Sequence, residues 1–257
     1  MRNFIIIVVL FLFSCKTENK ETVIPIETEQ LLLVITDSLQ SSSGMIYAFE
    51  KQSGEQSFTQ VFDGFNVRLG KNGLAWGRGL HPVNEDMKVF KKEGDGKSPE
   101  GVFLLENVFG FKAADEMKHL KMPYIQITEM LECVDDKTSK YYNKIIESNK
   151  VDTLDWNSSE KMFKYGKWYE QGIVVAHNKG EVESGCGSCI FIHNMVEADE
   201  TTAGCTELMP KDLKLIIDWL DIAKTPVLVQ LSAGDYKVYK DKWVLPFIKD
   251  YFSLKNQ

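Results

Sequence analysis

Two side chains in one stretch, GSCIFIHNMVEADETTAGCTEL (Gly187–Leu208), could do chemistry together: the imidazole of His193 and the thiol of Cys205. Acyl transfer by a thiol needs a sulfur that can become thiolate, a base to take its proton and N–H groups to receive the oxyanion. A free thiol is only slightly ionised at neutral pH, so His193 must either withdraw the proton or stabilise a preformed thiolate. General-base assistance is typically worth about 10²–10⁴ in rate, and one oxyanion donor about 10²–10³.

The flanking residues dictate how such groups would be held. Ser188 to His193 alternates as a strand, with Cys189, Phe191 and His193 on one face and Ile190 and Ile192 on the other. That pattern puts His193 at a strand end, where the carbonyl of Asn194 can orient one ring nitrogen. Thr201, Thr202, Ala203 and Gly204 carry no bulky side chain. The backbone before Cys205 is therefore expected to turn sharply and present the Gly204 and Cys205 N–H groups to a carbonyl. Pro210 opens an amphipathic helix over about 210–223, with Leu213, Ile216, Ile217 and Leu220 at core spacing.

The same residues admit a second chemistry. Cys186, Cys189, His193 and Cys205 are four soft ligands, and Cys-x-x-Cys followed by histidine is a common zinc arrangement. A zinc ion there would consume the thiolate that acyl transfer needs.

Gly187–Leu208 resembles the catalytic signature of the L,D-transpeptidases, the YkuD-like family, in which a strand histidine precedes a Ser/Thr-x-Gly-Cys turn. Two further segments are similar to that family: Gly94-Asp95-Gly96-Lys97-Ser98-Pro99-Glu100-Gly101-Val102-Phe103, and the Glu132–Asn143 stretch with Asp135, Asp136, Tyr142 and Asn143. Many members have histidine just before the glycine, where this chain has Ala203, so no role of that histidine transfers. The resemblance implies Cys205 as nucleophile, His193 as base, Gly204 in the oxyanion turn, and substrate contacts from Asn194, Thr202, His177 and Asn178. It also implies peptidoglycan stem peptides as substrates, attack at the bond to a terminal D-Ala, and transfer of the thioester to an amine. Water as acceptor would make the protein an L,D-carboxypeptidase, and an idle site would make it a wall-binding lipoprotein. Neither metal nor other cofactor is implied.

A net charge of −7 over 257 residues argues against nucleic acid as a partner. Residues 1–15, MRNFIIIVVLFLFSC, read as an export signal, with Arg2 ahead of an apolar run too short to span a bilayer. Leu12-Phe13-Ser14-Cys15 resembles a bacterial lipobox, and a polar tether over 16–28 follows. A lipidated Cys15 would hold the protein on a membrane, facing the periplasmic side of a bacterium; a plain secretory signal is the simpler alternative. In that oxidising setting Cys133, Cys186 and Cys189 allow at most one disulfide; Cys186 and Cys189 form either a local disulfide or redox pair or, the simpler expectation, two reduced cysteines near the cleft.

The remaining text is strand-like. Runs at Leu31–Thr36, Met45–Glu50 and Ser57–Phe62, separated by SSSG and KQSG, predict an antiparallel meander. The glycine-rich Gly70–Pro82 reads as a tight hairpin, Ser158-Ser159 as the start of a helical turn, and Gly94–Phe103 as a rigid turn that could bring Lys97 or Glu100 to a peptide. Strands are expected at Tyr124–Thr128, Ile173–His177 and Thr225–Leu231, and an amphipathic piece at Trp243–Phe252. The fold class is mainly β with accessory helices: curved mixed or antiparallel sheets with the 210–223 helix on one side. Residues 29–252 form one domain, followed by a tail at 253–257.

Overall fold

The computed structural model describes residues 23–55, 57–82, 89–197 and 201–248. The expected signal, Cys15, most of the tether and the tail lie outside the described residues. The chain is mainly β. In order it forms β1 (Gln30–Thr36), β2 (Ser43–Glu50), β3 (Thr59–Arg68), β4 (Leu74–Trp76), β5 (Ser98–Gly110), β6 (Tyr124–Gln126), β7 (Leu131–Val134), β8 (Ile145–Glu147), β9 (Ser159–Lys161), β10 (Gln171–Val175), β11 (Phe191–Asn194), β12 (Thr206–Leu208), the helix α1 (Pro210–Trp219), β13 (Val227–Ser232) and the helix α2 (Ala233–Tyr239).

The expected meander is present: β1, β2 and β3 pair antiparallel in sequence order. The other edge of β1 takes β13 in parallel, so β1 is central and buried along its length. Its alternation serves two cores. Leu32 and Val34 point to the cluster covered by Leu213, Ile216 and Ile217 of α1, while Leu31, Leu33 and Ile35 pack with Val229, Tyr236 and Trp243. This explains an apolar run with no polar face.

From β13 the sheet continues to β5, whose far end pairs with β10; β10 pairs with β11, β11 with β12, and β12 with β3. The circuit β1–β2–β3–β12–β11–β10–β5–β13 is thereby closed, and a closed sheet aims its strand ends rigidly. A small antiparallel sheet, β8–β7–β9, stands beside it.

Several local expectations are corrected. Gly70–Pro82 is not a hairpin: Leu74–Trp76 pairs in parallel with Ser98–Glu100. The glycines there do permit close approach, since a Cβ on Gly79 would lie 2.1 Å from the Val102 carbonyl oxygen. The Ser159–Lys161 segment is a strand, followed by a 3-10 segment, Met162–Tyr169, kinked at Gly166. Helix α1 ends at Trp219, one turn early, because Leu220 is extended and α1 gives way to a short 3-10 turn. Trp243 to Ile248 adds no strand or helix, although both named residues are buried, and α2 went unanticipated.

Candidate active site

Strand β11 lies between β10 and β12, with His193 opposite Gly172 on one side and Glu207 on the other. Its alternation is as expected: Ile190 and Ile192 enter the barrel core, and Cys189 and Phe191 join a separate cluster with Cys133, Met162, Tyr169 and Cys205. His193 is buried, and Nδ1 lies 3.1 Å from the Asn194 carbonyl oxygen. An Nδ1–H donating there leaves Nε2 as the basic nitrogen. Burial holds the imidazole down at about 4, so it is neutral at physiological pH. Tyr169 meets the His193 ring edge-on at 5.2 Å, and Glu207 Oε1 stands 3.8 Å from Nδ1.

Cys205 is buried too, at 8% exposure, yet it lines a cavity of about 350 Å³ together with His193. Thr201, Thr202, Ala203 and Glu207 line it as well, as do Glu160, Tyr165, Trp168 and Tyr169. The sulfur accepts from the Phe191 N–H at 3.3 Å and donates to the Cys189 carbonyl at 3.5 Å. Burial pushes the Cys205 thiol well above its ordinary range, and the Glu160 and Glu207 carboxylates add to that. A raised thiol beside a lowered imidazole makes a neutral pair at rest.

The turn before Cys205 differs from expectation. Gly204 N–H donates to Thr202 Oγ1 at 3.0 Å, and that hydroxyl donates in turn to the Cys205 carbonyl at 2.6 Å. The Cys205 N–H is left as the oxyanion donor the turn could offer. Gly204 has no left-handed φ; it is small because a Cβ would come 3.0 Å from the Lys97 carbonyl oxygen. Ser98 Oγ makes the second bond to the Cys205 carbonyl, at 3.1 Å, while accepting from Gly70 N–H at 2.9 Å. The Gly94–Phe103 segment thus clamps the Cys205 backbone. Its charges do not reach the cavity: Lys97 donates to Asn72, and Glu100 is buried against Ser232.

His177, Asn178 and Asn194 do not line the Cys205 cavity. His177 is buried, with Nδ1 accepting from Arg78 N–H and Nε2 at 3.0 Å from the Cys186 carbonyl; burial lowers it to about 3. Asn178 donates to the Glu183 and Gly187 carbonyls, and Asn143 donates to the carbonyls of His177 and Asn178. These residues shape the loop leading into β11. Asn194 faces the other way, donating to the Lys167 carbonyl and accepting from Gln171. Asp136 caps its own turn through Thr138 and Asn157.

The disulfide is Cys133–Cys189, with Cα atoms 5.9 Å apart, and Cys186 is free. The Cys186–Cys189 pairing is thus overturned, because folding brings Cys133 of β7 to Cys189 from 56 residues away. It also takes Cys189 out of the four-ligand zinc set.

Sequence reasoning missed Ser98, Glu160, Tyr169 and Glu207. Glu207 was findable, two residues beyond Cys205 in a strand. Glu160 and Tyr169 lie in a polar and aromatic stretch of no clear period.

The L,D-transpeptidase catalytic domain profile, YkuD, matches residues 41–229. A search of curated proteins returns no significant match. Among solved structures, the helical cell shape determining protein Pgp2 from Campylobacter jejuni is similar at 12% identity and a TM-score of 0.36, over 79% of this chain and 48% of that one. The chain spans about half the length of that protein. With the profile covering most of the chain and both His193 and Cys205 lying inside the matched residues, the chain belongs to the YkuD family of L,D-transpeptidase catalytic domains.

Proposed function

We propose that this protein is a cysteine acyltransferase of the cell wall that takes stem peptides of peptidoglycan as acyl donors. The observation that carries the reading is that Cys205 and His193 line one cavity, with the imidazole held through Nδ1 by the Asn194 carbonyl. Nε2 of His193 takes the thiol proton as Cys205 Sγ attacks the carbonyl of the L-centre residue before the terminal D-amino acid. Negative charge on the carbonyl oxygen is received by the Cys205 N–H. The C–N bond then breaks, His193 returns the proton to the leaving amine, and the stem is held on Cys205 as a thioester. An amine acceptor completes an L,D cross-link; water completes an L,D-carboxypeptidase turnover instead.

Family membership supports the substrate class, and the neutral thiol–imidazole pair supports base-assisted attack. We also hold that lipidation at Cys15 anchors the protein on the extracytoplasmic side of the membrane; radiolabelled fatty acid incorporation lost in Cys15→Ser would test that.

Mass spectrometry after incubation with disaccharide-tetrapeptide tests the central reading. A thioester on Cys205, absent in Cys205→Ala, is expected, with a cross-linked product once an amine is added. Stem-peptide binding with no adduct on Cys205 would leave a wall-binding protein in its place.

A further inference from the structure

Transfer to an amine raises a proton problem that His193 alone does not solve. The acceptor arrives as an ammonium ion, since a side-chain amine of this type ionises near 10.4. It must lose one proton before its nitrogen can attack. It loses a second as the new amide forms, and His193 passes that one to the departing Cys205 thiolate. A second base is therefore required, and it should line the cavity that holds the thiol.

Glu160 stands there. It lines the Cys205 cavity from β9, and its Oε2 accepts from Tyr169 O–H at 2.6 Å. Tyr169 in turn rests on the His193 ring, so one tyrosine spaces the carboxylate from the imidazole. Oε1 of Glu160 has no hydrogen bond among the described residues. On the backbone Glu160 faces Cys133, whose sulfur is bonded to Cys189, whose carbonyl receives the Cys205 thiol. A disulfide thus ties the strand that pairs with Glu160 to the residue whose carbonyl receives the Cys205 thiol.

Resting on the acyltransferase reading above, we propose that Glu160 is the acceptor-binding residue: it receives the ammonium of the incoming amine, removes one proton and directs the Cys205 thioester to aminolysis. The step balances. Thioester, ammonium and Glu160 carboxylate give amide, Cys205 thiol and Glu160 carboxylic acid, which then releases its proton to water. The surroundings suit this. Among the described residues that line the cavity, Glu160 and Glu207 are set against one cation, the exposed Lys164. Burial raises the Glu160 carboxyl to about 7, helped by Asp135 and Glu93 and opposed by the Tyr169 hydrogen bond. Proton transfer from ammonium to a carboxylate so raised is uphill by about three units instead of about six. The titratable and charged groups around Glu160 are Lys164, Tyr165 and Tyr169 of the kinked segment, Asp135 and Glu93, and His193, Cys205 and Glu207 of the same cavity lining.

The test is the partition of the thioester. Full-length protein and its Glu160→Gln variant are loaded with disaccharide-tetrapeptide, given Nα-acetyl-lysine amide, and the ratio of aminolysis to hydrolysis is followed from pH 6 to 10. Counting per thioester removes any effect on acylation. At pH 7 the ratio is expected to fall about tenfold or more in Glu160→Gln. The deficit should narrow steadily toward pH 10, where roughly a quarter of the amine already arrives neutral against far less than about 1% at pH 7, and Glu160→Asp should recover part of it. A ratio unchanged by Glu160→Gln, or a loss equal at every pH, overturns the proposal. Should the parent protein form no thioester, the acyltransferase reading fails by itself. The proposal is then decided in Cys205→Ala by calorimetric binding of Nα-acetyl-lysine amide against its Nε-acetylated form. A preference for the charged form that Glu160→Gln abolishes supports amine binding, and no preference overturns it.

Discussion

The carbonyl oxygen of Cys189 lies 3.5 Å from Sγ of Cys205, while the sulfur of Cys189 is bonded to Cys133. One residue therefore holds the Cys205 thiol through its backbone and the neighbouring small sheet through its side chain. Breaking the covalent half should loosen both.

By the chain-entropy account, a bridge closing a loop of 56 residues constrains the unfolded chain by about 4 kcal/mol. Cys133→Ser with Cys189→Ser is expected to lower the thermal midpoint by many degrees and to slow thioester formation in the protein that remains folded. Scanning calorimetry and a single-turnover assay below the new midpoint check the two effects separately.

The Cys205 carbonyl takes two side-chain hydroxyls, from Thr202 and Ser98. Removing either hydroxyl leaves buried partners unsatisfied, at about 1–3 kcal/mol. Thr202→Val and Ser98→Ala should each lower stability by that order and lower kcat. Because both bonds meet one oxygen, the double variant should be non-additive. Urea unfolding of the two singles and the double measures the coupling, and additive losses would mean that the two hydroxyls act independently.

His193 and His177 should separate cleanly. His193→Ala is expected to slow iodoacetamide alkylation of Cys205 and thioester formation by about 10²-fold or more. His177→Ala, which removes the bonds to Arg78 and Cys186, should instead cost stability. Since burial holds His193 at about 4, the base stays neutral down to mild acid, and acylation should persist to pH 5 and fall near 4. An acid limb at 6.5 would show that the imidazole is solvated when it works.

Glu100 gives a pH signature in stability. Burial raises its carboxyl to about 8, with Asp235 raising it further and the Ser232 N–H opposing. The folded value lies above the unfolded one, so the group's contribution is complete below the unfolded value of 4.5 and is lost as pH rises to about 8. Over that window stability should fall by up to about 1.4 kcal/mol per pH unit. Glu100→Gln, which can still accept from Ser232, should flatten the dependence and be the more stable protein at pH 8.5. Urea titrations at pH 5.5, 7 and 8.5 compare them.

The sequence alone determined the periodic elements and the family segment that holds His193 and Cys205. Leu31–Thr36, Met45–Glu50 and the apolar alternation through Ile190–Ile192 are local signals, because burial on a strand repeats every two residues whatever the partner. The family segment around His193 and Cys205 was legible for the same reason: its spacing lies within one stretch of chain.

Tertiary structure decided whatever depends on distant residues meeting. Cys189 bonds Cys133 and not its neighbour Cys186, Ser98 reaches the Cys205 carbonyl across 107 positions, and Glu160 arrives at the cavity on a separate sheet. The Gly204 N–H is taken by Thr202, and His177 is drawn into a buried loop away from the thiol. Such contacts leave no period in the sequence, because closure of the barrel, not residue spacing, sets which backbones approach. The raised carboxyls and the lowered imidazoles follow from the burial that closure imposes.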